Sequence, residues 1–220
     1  MQKKTLQLIT EFIQIEGRVN KSKRARKADR LIDQLYSELL KIFKTDVPVN
    51  QMKYQHGNEI HEKILAFAQK AWMLGVSYVS NQTGKNIVLT PQMMVKIQEH
   101  AEELEQRFWK LLSQRQAKIM TEFTDPQITN FLTFQASNLI VRLLNLSTVV
   151  TMRSIYGDNL SPDVAFVWET EQDDAVCPIC YPLQGRIFRQ SDEIPQPVDD
   201  THIGCRCMLA VIDNSSKQAI

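Results

Sequence analysis

CPICYPLQGRIF, from Cys177 to Phe188, holds two of the chain's four cysteines, and the other two stand at Cys205 and Cys207 in HIGCRC. The pattern is Cys-x2-Cys, 21 residues, then His-x2-Cys-x-Cys. A two-residue gap lets two thiolates converge on one ion from a tight turn, and thiolate with imidazole favours zinc in tetrahedral geometry. Five candidates, Cys177, Cys180, His202, Cys205 and Cys207, compete for four places. Cys177 and Cys180 are taken as members, with two of the other three completing the set. On an extended strand Cys205 and Cys207 share a face, which makes a four-cysteine site. A turn at Gly204 instead lets His202 replace one of them.

Working outward, VAFVWETE (Val164–Glu171), GRIF (Gly185–Phe188) and CRCMLAVID (Cys205–Asp213) are rich in β-branched and aromatic residues and read as short strands. Pro182, Gly185, Pro195 and Pro197 punctuate the loops between them. A module of this size with so few large apolar residues does not hold itself together. A structural metal contributes about 10–16 kcal/mol of apparent binding energy to folding, enough to close that gap. Two disulfides would consume the same four cysteines but belong to secreted chains. The N-terminal stretch carries Glu11 and Glu16 where a secretory signal needs an apolar core, so a reducing compartment is expected. A redox dithiol at Cys177 and Cys180 would leave the second cysteine pair unexplained.

Upstream, the apolar period changes to that of helices. Ala28, Leu31, Ile32, Leu35, Tyr36, Leu39, Leu40 and Phe43 form one stripe; Ile60, Ile64, Phe67, Ala68, Ala71 and Trp72 form another. Ile97, Ala101, Leu104, Phe108, Leu111 and Leu112 form a third. Thr90-Pro91 and Asp125-Pro126 are helix starts, and Gly157 ends the helix that follows Pro126 at about Tyr156. That last helix is apolar on more than one face and is expected at the centre of a five-helix bundle. Its longest uncharged stretch, Gln127–Val141, is shorter than a bilayer span and contains Asn130, Gln135 and Asn138, so no membrane span is expected. The fold class is α+β: a mainly helical bundle over 1–160, then a small, zinc-stabilised, loop-rich β-containing module over 161–220.

Trp168, Thr170, Asp174, Val176, Cys177, Pro178, Cys180, Leu183, Gly185, Phe188, His202, Cys205, Arg206 and Cys207 stand in an order that resembles the C-terminal domain of the phage head morphogenesis family, the Mu F-like minor capsid proteins. The resemblance covers about the last fifty residues. It implies a virion component in few copies, made in the host cytoplasm and placed in the head interior near the portal. Its partners would be the portal, the major capsid protein or both, with packaged DNA as a further contact. The role implied is structural, in head assembly or in DNA packaging and delivery, with zinc as a structural ion, no enzymatic activity and no small-molecule substrate.

Net charge is +1, which by itself points to no polyanionic partner, but the charge is unevenly placed. KSKRARKADR, Lys21–Arg30, has six basic residues and one acid, while Glu169–Asp200 has eight acids and two arginines. Lys21, Lys23, Arg24, Arg26 and Lys27 are the candidate contacts to DNA phosphates or to an acidic partner. They also support an alternative reading as a DNA-binding protein. A second alternative is a zinc-stabilised nuclease in which His202 with Asp199 or Asp200 holds a catalytic ion. Glu169-Thr-Glu171 has the Glu-x-Glu form of some ADP-ribosyltransferases without the rest of their pattern. HEKIL, His61–Leu65, lacks the second histidine of a zinc-protease helix.

Overall fold

The computed structural model describes residues 24–44, 47–118, 125–157, 164–170, 177–189, 194–202 and 204–213. Among them are four helices: α1 over 24–43, α2 (Val49–Thr83), α3 (Pro91–Lys118) and α4 (Asp125–Tyr156). The expected bundle had five; residues 1–23 lie outside the described residues and do not enter this count. The boundaries follow local chemistry. Thr90 Oγ1 accepts the Met93 N–H at 3.2 Å and caps α3. Gly84 (φ 67°) and Gly157 (φ 72°) end α2 and α4 in the left-handed conformation that glycine adopts without a Cβ penalty. Helix α2 begins at Val49, a full three turns before the apolar stripe that announced it, with Pro48 at its cap.

The bundle core is hydrocarbon. Leu35, Leu39, Ile64, Trp72, Ile97, Leu104, Leu132 and Leu143 are buried together, and Phe108 meets Phe43, Trp109 and Phe131 in edge-on and tilted ring contacts at 5.0–6.1 Å. Helices α2 and α4 are in close contact at Gly75. A Cβ there would lie 1.8 Å from Ser147 Oγ and 2.7 Å from the Leu144 carbonyl oxygen.

The C-terminal part forms a three-stranded antiparallel sheet in the order β2-β1-β3: β1 (Val164–Glu169), β2 (Ile187–Phe188) and β3 (Met208–Asp213). Phe166 pairs with Phe188 on one side and Val211 on the other, so one face carries Val164, Phe166, Trp168, Phe188, Leu209 and Val211. The sequence leads to the expectation that the module has too few large apolar residues to hold itself together. Metal is not the only remedy, because Val79 of α2 and Val141, Val149 and Met152 of α4 are buried in the same cluster. Helix α4 therefore serves two interiors, Leu139, Ile140, Leu143 and Leu144 facing the bundle and Val141, Val149 and Met152 the sheet.

The outer edge of β3 is closed by side chains rather than by a fourth strand. Asn145 donates to the Cys207 carbonyl (3.1 Å) and accepts the Leu209 N–H (2.8 Å). Arg24 Nη1 donates to the Leu209 carbonyl (3.0 Å), and the Tyr78 hydroxyl accepts the Val211 N–H (3.1 Å). Three helices thus satisfy the edge groups that a bare strand would leave open. The described helices and the sheet meet through this buried seam. Within α4, Pro126–Tyr156 is long and apolar enough by length and composition to cross a membrane, and 67% of its apolar window is buried against the rest of the chain.

Candidate metal centre

The first arm of the centre is a tight turn. The Cys180 and Tyr181 N–H groups both donate to the Cys177 carbonyl (3.1 and 3.0 Å), and a single 3-10 turn, Tyr181–Leu183, follows. Gly185 (φ 73°) reverses the chain so that its N–H reaches the Trp168 carbonyl at 2.8 Å. Gln184 Oε1 accepts from both the N–H and the hydroxyl of Thr170 (2.6 and 2.7 Å). The turn is thereby stapled to the end of β1, whose Trp168 is wholly buried.

The second arm comes from the other side of the sheet. Gly204 (φ 83°) makes a turn that the Cys205 N–H closes onto the His202 carbonyl at 3.1 Å. A Cβ at Gly204 would lie 2.7 Å from the Phe134 ring, and the Gly204 N–H donates to Asn138 Oδ1 at 2.8 Å. Helix α4 thus seats the turn with one ring and one amide. Strand β3 begins only at Met208, so Cys205 and Cys207 precede it and strand alternation does not orient them. The chain turns at Gly204, the alternative that brings His202 inward.

All five candidates are brought together, as two triads that share Cys180. Cys177, Cys180 and His202 form one, and Cys180, Cys205 and Cys207 the other. Within each, the ligating atoms lie within 4.8 Å of one another, and either can hold a metal ion. His202 Nε2 is 2.9 Å from Cys177 Sγ and 3.4 Å from Cys180 Sγ, and Cys180 Sγ is 3.7 Å from Cys205 Sγ. Tetrahedral coordination with zinc's usual bond lengths gives edges of about 3.8 Å between two sulfurs and about 3.6 Å between sulfur and nitrogen. The Cys180–Cys205 and Cys180–His202 distances match those edges; Cys177 and His202 sit closer together. All four cysteines are free, and 3.7 Å is far beyond a disulfide bond, so disulfide pairing is not what joins the two arms.

The electrostatics favour a cation. A hydrogen bond with Cys207 pulls the Cys205 thiol down to about 5 against the opposing effect of burial. Burial, then hydrogen bonding to Cys177 and the charge of Cys205, push Cys180 up to about 12. Cys207 moves strongly upward, first through its bond to Cys205 and then through burial. Burial and the neighbouring sulfurs thus work against ionising several of these thiols at once. A divalent ion is the charge that lets several of these sulfurs ionise together.

The other predicted site residues fare differently. Lys21 and Lys23 lie outside the described residues. Arg26 and Lys27 are exposed on α1. Arg24 is a correction: it is 3% exposed, bonded to the Leu209 carbonyl and set 3.9 Å over the Tyr78 ring. Its charge serves the fold, because α1 packs directly on the β3 edge. Asp199, offered as a ligand for a catalytic ion, takes the Arg142 Nε–H at 2.7 Å, and Asp200 Oδ2 accepts the Gln196 N–H at 2.7 Å.

Sequence reading missed Arg142 and Asn145 and treated Asn138 only as an interruption. The three recur at helical spacing in an otherwise apolar helix, and that signal was available: a polar stripe inside an apolar helix finds hydrogen-bond partners on whatever packs on it.

No known family model matches this chain, and no curated protein or solved structure is significantly similar to it.

Proposed function

We propose that this protein is a non-enzymatic minor component of a tailed-phage head, associated with the portal or the shell, with a zinc-clipped C-terminal module as its rigid element. Zinc is the ion that suits thiolate and imidazole donors at tetrahedral spacing. The observation that carries the reading is the convergence of the motif residues on one structural knot. Cys177, Cys180, His202, Cys205 and Cys207 meet there, Trp168 and Phe188 form the sheet face, and Thr170 and Gly185 fasten the turn. These are nine of the fourteen positions on which the resemblance to the phage head morphogenesis family rests. The enzyme reading requires Asp199 or Asp200 to be available for a second ion, and both carboxylates are engaged within the fold.

The test has two parts. The purified chain is expected to carry about one tightly held zinc, and to co-sediment with portal rings or with heads of its own phage when co-expressed. A chain with no zinc and four reactive thiols in the folded state removes the basis for the module. A chain that holds zinc but joins neither portal nor head overturns the virion role alone. Plasmid nicking with magnesium or manganese that is lost in His202→Ala would establish the nuclease reading instead.

A further inference from the structure

Between the sheet and the second arm runs the loop 194–201, and Val198 in it is held in an unusual backbone conformation. Its φ is 79°, it is the one described non-glycine residue with positive φ, and its side chain is buried at 3% exposure. A β-branched residue in the left-handed region persists only where its surroundings hold it there. Two sets of contacts do so from opposite sides. Towards the metal centre, the Val198 N–H meets Oγ1 of Thr201, the residue before His202, at 3.1 Å, and Val198 is buried in the same cluster as Cys180, Cys205 and Cys207. Towards the helices, the next residue, Asp199, takes the Arg142 Nε–H at 2.7 Å. Arg142 is itself buried on α4, and its Nη2 is shared between the two oxygens of Glu103 on α3 at 3.2 and 3.0 Å. The loop is closed on itself as well, Asp200 N–H to the Gln196 carbonyl at 3.0 Å and Gln196 N–H to Asp200 Oδ2 at 2.7 Å, so a pull on Asp199 moves it as a unit.

We propose that Arg142 is a positioning residue of the metal centre. By holding Asp199 it keeps Val198 in the left-handed conformation, and that conformation seats the loop against the cysteine cluster and ties it to Thr201, the neighbour of the candidate ligand His202. Docking of the loop onto α3 and α4 and retention of the ion are then a single coupled event, and the helical bundle sets how firmly the metal is held. The inference rests on the metal-centre reading above and is independent of the virion role.

The experiment follows zinc release from the full-length, zinc-loaded chain into a chromophoric chelator, with far-ultraviolet circular dichroism as the check on the helices. Outer contacts of a metal site are commonly worth 10–100-fold in affinity, and Asp199→Ala is expected to speed release about tenfold with unchanged helical signal. Arg142→Met is the second variant and acts in the same direction. Adding Val198→Gly to Asp199→Ala is expected to bring release back to within about twofold of wild type, because glycine adopts this φ unaided. A contact that only adds stability predicts the reverse, a further loss in the double variant. Wild-type release rates in both Asp199→Ala and Arg142→Met, or a double variant that is worse than the single, overturn the proposal. A wild-type chain that takes up no zinc overturns the metal-centre reading itself, so the two failures are distinct.

Discussion

Phe108 and Cys205 are both almost fully buried, at 2% and 1% exposure, and their surroundings have little in common. Phe108 lies among Phe43, Trp109 and Phe131, in an interior that four helices seal with hydrocarbon. Cys205 lies against the sulfurs of Cys180 and Cys207, in a cluster whose apolar share is partly lent by α2 and α4. The bundle tolerates small rearrangements because hydrophobic attraction is non-directional. The module does not, since each of its sulfurs and edge amides needs one partner at one distance. The difference teaches why the two parts are joined by polar side chains on α4. Asn138, Arg142 and Asn145 carry directional bonds from a rigid helix to a region that cannot supply its own rigidity.

The strongest way to break this comparison is to remove the metal. A structural ion of this kind is worth on the order of 10 kcal/mol to the region it ties. Chelation at neutral pH is expected to release the backbone amides of Leu209 and Val211 to hydrogen exchange while those around Phe108 stay protected. Equal loss of protection in both regions would show one cooperative unit and erase the distinction. Next in size is Phe108→Ala, expected to cost about 3–5 kcal/mol of unfolding free energy in denaturant titration. Metal stoichiometry should be unchanged, and loss of metal in that variant would contradict the separation of the two interiors.

Asn145→Ala probes the seam itself. It leaves the Cys207 carbonyl and the Leu209 N–H buried without their partner, a loss of about 2–3 kcal/mol. The near-ultraviolet signal of Trp168 is expected to weaken at lower temperature than the helical signal, where wild type loses both closer together. A variant in which the two signals move together would place the seam within the bundle's cooperative unit.

The smallest effect concerns pH. Burial pushes the Glu103 carboxyl up, but the charge and hydrogen bonds of Arg142 outweigh it and hold it below its ordinary value of 4.5. A depressed carboxylate contributes stability above its unfolded value, and that contribution fades as pH falls from 4.5 through the folded value. Glu103→Gln is therefore expected to cost a small amount of stability at pH 7, as for a largely exposed acid, and the difference from wild type is expected to vanish as pH falls through the folded value, which flattens the acid limb of the melting curve. An unaltered acid limb would remove Glu103 from the Arg142 clamp.

Much of this was legible because it is local. The Thr90 cap, the Gly157 stop and the turn between Cys177 and Cys180 each depend on residues within four positions, so the chemistry is written side by side in the chain. The five ligand candidates were legible for the same reason: short gaps constrain where donor atoms can go. Arg24 was misread because a charge in a basic run says nothing about the direction its side chain takes, and only the packing of α1 on β3 turned it inward. The lent core was invisible in the last sixty residues because Val79, Val141, Val149 and Met152 belong to other elements.

The amino-acid order by itself determined an α+β chain, helices first and a Cys/His-rich strand module last, since periodicity and short-range spacing are properties of neighbours. Only the tertiary structure decided that the turn at Gly204 brings His202 to Cys177 and Cys180, that β3 is sealed by Arg24, Tyr78 and Asn145, and that Asp199 belongs to Arg142. Those outcomes depend on which faces meet across 22 to 185 residues of chain, and contacts at that separation are set by the packing of whole elements.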